Sequence, residues 1–65
     1  MKKVAIYRVL VFGNIHDFRY DVYEKKGSGC GEQLAFWLET FEAALEFVEK
    51  NGYELVEVDG IPLNP

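Results

Sequence analysis

From Glu32 to Lys50 the apolar residues keep helical phase for about five turns, and no other stretch so constrains what this chain can fold into. At about 100° per residue, Leu34, Trp37, Leu38, Phe41, Ala44, Leu45 and Val48 share roughly 120° of arc. Glu32, Glu39, Glu42, Glu46, Glu49 and Lys50 gather on the far side. That segregation predicts one long amphipathic helix. Leu34, Phe36 and Leu38 also alternate and Thr40 is a good N-cap, so a strand over 33–39 followed by a short helix is the competing assignment. The unbroken phase favours the single helix. Phe36, Ala43 and Phe47 widen its apolar arc beyond what one small sheet covers, which makes them candidate interface residues.

Ahead of this stretch, Val4 to Phe12 is rich in β-branched and aromatic residues and is bounded by Gly13-Asn14, so it predicts a strand. Val4, Ile6, Leu10 and Phe12 fall on one face with Arg8, and Ala5, Tyr7, Val9 and Val11 on the other. A strand apolar on both faces belongs in the middle of a sheet. Gly13 to Asp17 reads as a hairpin loop, and Phe18 to Lys25 as a half-exposed antiparallel partner. After the helix, Asn51-Gly52 supplies a C-terminal stop, and Tyr53 to Val58 reads as the last strand. Residues 59–65 hold two prolines and are expected as an extended or edge-packed tail.

The expectation is therefore a single α+β domain over 1–65, of order β-β-α-β. It has a three-stranded, mostly antiparallel sheet of order 2-1-3, with the first strand antiparallel to both neighbours and one long helix on one face. Only one helix is available, so the sheet face bearing Tyr7, Val9 and Val11 has no cover within the chain. Those three residues complete the candidate interface. At 65 residues the core is small, and the single cysteine allows no intrachain disulfide, so self-association is the expected source of added stability. A homodimer or a protein partner follows as the leading functional expectation, without enzymatic activity, cofactor or metal.

Composition narrows the alternatives. With 49% hydrophobic and 15% aromatic residues the chain is built to fold. A net charge of −4 disfavours nucleic acid as a partner. No apolar run approaches the roughly 18 residues of a membrane span, and a lone thiol without an export signal predicts a cytoplasmic protein. The glycine-rich loop Gly27, Ser28, Gly29, Cys30 and Gly31 leads into the expected helix, whose first amides and dipole would favour an anion or a reactive thiolate. It lacks the lysine and hydroxyl residue of a phosphate loop, and a flexible strand-to-helix connector is the simpler reading. His16 is expected on an exposed turn away from Cys30. The helix glutamates suggest a third reading, an acidic inhibitor imitating nucleic acid, against the simpler one of a solvated face.

Overall fold

The computed structural model describes residues 1–63, and of positions 14 and 15 the backbone alone. It contains β1 (Lys3–Val11), β2 (Asn14–Lys26), β3 (Gly29–Leu38), α1 (Phe41–Lys50), β4 (Glu54–Val58) and β5 (Ile61–Pro62). The strands form one mixed sheet of order β3-β2-β1-β4-β5. This corrects the expected fold, since there are five strands rather than three and the helix spans ten residues rather than nineteen.

β1 is central, as its two apolar faces require. It pairs antiparallel with β2 from Val4–Glu24 to Leu10–Phe18, and the turn between them is shorter than expected, Phe12 and Gly13 alone. On its other side β1 pairs with β4 in parallel, with Lys3 opposite Glu54 and Val4 opposite Leu55. The expected antiparallel pairing fails because β3 is a strand. One additional reversal of the chain before the helix brings β4 back in the direction of β1.

β3 runs antiparallel to β2 with three register shifts. Between the pairs Tyr20–Leu38 and Lys26–Gly29 the chain advances six residues on β2 and nine on β3, so every extra residue lies on β3. These bulges bring Leu34, Ala35 and Leu38 together against the core, a spacing that imitates a helix face.

The helix starts where the competing assignment put it. Thr40 is extended (φ −134°, ψ 159°) and its Oγ1 accepts the Ala43 N–H at 3.0 Å. Glu42 in the first turn and Lys50 in the last complement the helix dipole. Gly52, at φ +69°, closes the C-terminal end in the left-handed region that a side chain would disfavour. Ala44 and Val48, four residues apart, are buried against Val4, Ile6 and Val22 to make the core. Tyr20 meets Phe41 edge-on at 5.8 Å, and Phe47 meets Tyr53 at 6.0 Å.

Asp59 and Gly60 turn the chain into β5, and the Leu63 N–H donates to the Val56 carbonyl at 3.0 Å. Ile61 to Leu63 thus pack on the sheet edge, while Asn64 and Pro65 of the expected tail lie outside the described residues. Both sheet edges resist further pairing. β5 is two residues long with a proline, and β3 is bulged throughout.

Candidate interaction surface

Cross-strand neighbours share a face, so the register separates a helix-covered side from an open one. Val4, Ile6 and Val22 face α1, whereas Ala5, Tyr7, Val9, Tyr23 and Glu57 face away. Ala5 is fully buried between the register positions of Tyr23 and Glu57, outside the main core cluster. The open face is therefore tightly built on its own.

Its centre is a linked set of polar groups. Tyr7 donates its phenolic proton to Glu57 Oε2 at 2.6 Å, and Lys25 Nζ sits 2.9 Å from Glu57 Oε1. Glu57 is 6% exposed and is the one buried charged residue among those described. It reaches across β1 to Lys25 on β2, so a single carboxylate ties β4 to the β2–β3 hairpin. The hydrogen bond from Tyr7, then Lys25, holds the Glu57 carboxyl below its ordinary value. The same bond, with lesser contributions from Cys30 and burial, raises the Tyr7 phenol above its own.

Cys30 Sγ lies 3.6 Å from the Tyr7 oxygen and is exposed. Because the phenolic proton is committed to Glu57, Tyr7 offers this sulfur a lone pair, and the Cys30 S–H donates to it. The expected helix start after Gly31 is absent. Gly27 and Ser28 form the turn of the β2–β3 hairpin, Gly27 with φ +56°, and Gly29, Cys30 and Gly31 are strand residues. The helix-terminus basis for an anion or thiolate site at Gly27 to Gly31 is removed. An open cleft of about 470 Å³ does adjoin Gly27, but Lys3 and Lys25 in its lining are matched by Glu54 and Glu57. His16 lies on β2 nine residues from Lys25, the partner of Cys30, which is roughly 30 Å along the strand.

At the β3 edge of the same face, beside Asp21, the register partner of Tyr7, stands Trp37. Its backbone has φ +60°, a conformation that costs a non-glycine residue about 1–3 kcal/mol. Asp21 Oδ1 accepts its N–H at 2.9 Å, and the Arg19 guanidinium lies 5.8 Å from the ring centre. Asp21 Oδ2 also accepts from Gln33 Nε2 at 3.4 Å, and the same amide donates to Tyr23 at 3.0 Å. Arg19 bonds Asp17 and the Phe18 carbonyl. Despite these supports the Trp37 side chain is 49% exposed.

Other large apolar residues are exposed as well. Leu10 at 50% and Phe12, fully exposed, end the β1–β2 hairpin, and Phe36 at 68% precedes Trp37 on β3. The register sets the end of β3 opposite Tyr20, level with Arg8 and partway along β2, whereas Leu10 and Phe12 lie further on towards the β1–β2 turn. The other expected interface residues are distributed differently. Phe47 is half-buried against Tyr53, and Ala43 is half-buried on α1. Tyr7, Val9 and Val11 are half-buried on the open face. Phe36 belongs to β3 and not to the helix. Of the expected line of glutamates, Glu32 lies on β3, Glu39 on the connection and Glu42, Glu46 and Glu49 on α1, all exposed, so no single row exists.

Among the described residues no group of three or more metal-ligating side chains gathers, and no helix is long and apolar enough to cross a membrane. No family model, curated protein or solved structure matches this chain.

Proposed function

We propose that this chain is a small non-enzymatic assembly module that associates with a second copy of itself. The observation that carries this reading is that Leu10, Phe12, Phe36 and Trp37, four large apolar residues of the β1–β2–β3 meander, are all exposed. A thin core supports it. Only Val4, Ala5, Ile6, Val22, Ala44 and Val48 are buried apolar residues among those described, and a domain this small gains proportionally from covering more surface. The bulged and proline-bearing edges direct association to a face or an end of the sheet, away from strand addition. On the open face the groups able to do chemistry, Cys30, Tyr7, Glu57 and Lys25, are engaged with one another, which favours binding over catalysis.

The test is the solution mass by light scattering after size exclusion, over a dilution series. Twice the 7.5 kDa chain mass is expected at high concentration, with Phe36→Asp and Leu10→Asp shifting the protein towards the single-chain mass. A mass of one chain at every concentration overturns the proposal.

A further inference from the structure

We infer that Trp37 is the anchor of a two-fold contact between copies, and that Asp21 is the positioning residue that presents it. This rests on the self-association proposed above and assigns it a centre. Three independent features of Trp37 converge. Its backbone is left-handed at a bulge of β3, where the Asp21 carboxylate of the neighbouring strand accepts its N–H. Its ring is stacked by Arg19, whose guanidinium is fixed by Asp17 and the Phe18 carbonyl, so the indole is held in place before any partner arrives. Half of it nevertheless remains exposed, beside exposed Phe36. Tryptophan is among the residue types enriched at the few positions that carry most binding energy at protein interfaces.

The occupant is a second copy because the surroundings of Trp37 carry both charges. A two-fold contact sets a patch against itself, and a patch of one sign repels its own image. Here Arg19 lies beside Asp17 and Asp21, so a copy rotated by half a turn brings acid towards base.

Trp37 is the sole tryptophan, so its fluorescence reports directly. Iodide quenching and emission of the wild-type protein are followed across the dilution series used for the mass. On association, emission is expected to shift to shorter wavelength and quenching to fall. Trp37→Ala is expected to weaken association at least about tenfold. Asp21→Ala is expected to weaken it as well, while Asp21→Asn, which retains the oxygen acceptor, restores it. If the wild type associates while Trp37 stays equally quenchable, or if Trp37→Ala associates as the wild type does, the anchor is overturned and self-association stands. A wild type that remains monomeric overturns both.

Discussion

Glu57 shows how one side chain sets the behaviour of a surface. Its carboxylate accepts from Tyr7 and pairs with Lys25, so the folded protein holds it ionised where the unfolded chain takes up a proton first. Its contribution to stability is therefore complete above the ordinary carboxyl value near 4.5 and is lost as pH falls below it. Tyr7 titrates in the opposite sense. Its phenol is raised, so its contribution holds below the ordinary value of 10.0 and is lost as pH rises beyond it. Denaturant midpoints measured from pH 2 to pH 11 are expected to decline at both ends. In Glu57→Gln the acid decline is shallower, and in Tyr7→Phe the alkaline one is. Tyr7 was legible in the sequence as a residue of the uncovered face, whereas Glu57 was not. Alternation in Tyr53 to Val58 does not distinguish a buried acid from an exposed one, and the shift of the β1–β4 register between Val4 and Ala5 sets it opposite Ala5.

α1 depends on its cap more than a longer helix would. It has ten residues, near the length at which an isolated helix barely forms, so its first turn draws on Thr40 and on packing. Thr40→Ala removes the acceptor for the Ala43 N–H and is expected to lower unfolding free energy by about 1 kcal/mol, with Thr40→Ser close to wild type, as measured by urea titration. β3 explains why this helix was overestimated from sequence. A regular strand would send Leu34, Phe36 and Leu38 to one side. The bulges instead send Leu34, Ala35 and Leu38 to the core and leave Phe36 in solvent, so the apolar positions fall at helical intervals within a strand. The phase that continued from Leu34 to Val48 was a junction of two elements with matching periods. The only local signal of the boundary was Thr40, an N-cap residue in a run otherwise without one. Cys30 and the glycines beside it were misplaced for the same reason, because their role depended on a helix following them.

At the level of the whole molecule, the centrality of β1 and the uncovered sheet face were legible, because both follow from the apolar faces of one strand and the presence of one helix. The direction of β4 and the number of strands were not, since both depend on β3. The core that results is shallow. A chain of this length is expected to have a net stability of about 3–10 kcal/mol, and Ile6, fully buried under Ala44 and Val48, contributes a large share of it. Ile6→Ala is expected to cost about 2–5 kcal/mol and to leave much of the population unfolded at 37 °C, whereas Ile6→Val costs about 1 kcal/mol. Circular dichroism melts of the two variants check this. The parallel pairing of β1 with β4 also orders events in time. β1, β2 and β3 are sequence neighbours joined by short turns and meet within a short search, but Lys3 must wait for Glu54 before the other side of β1 is filled. On a ribosome the three-stranded meander emerges first and holds one flank of β1 bare, a vacancy that any passing extended segment contests until the late strand arrives.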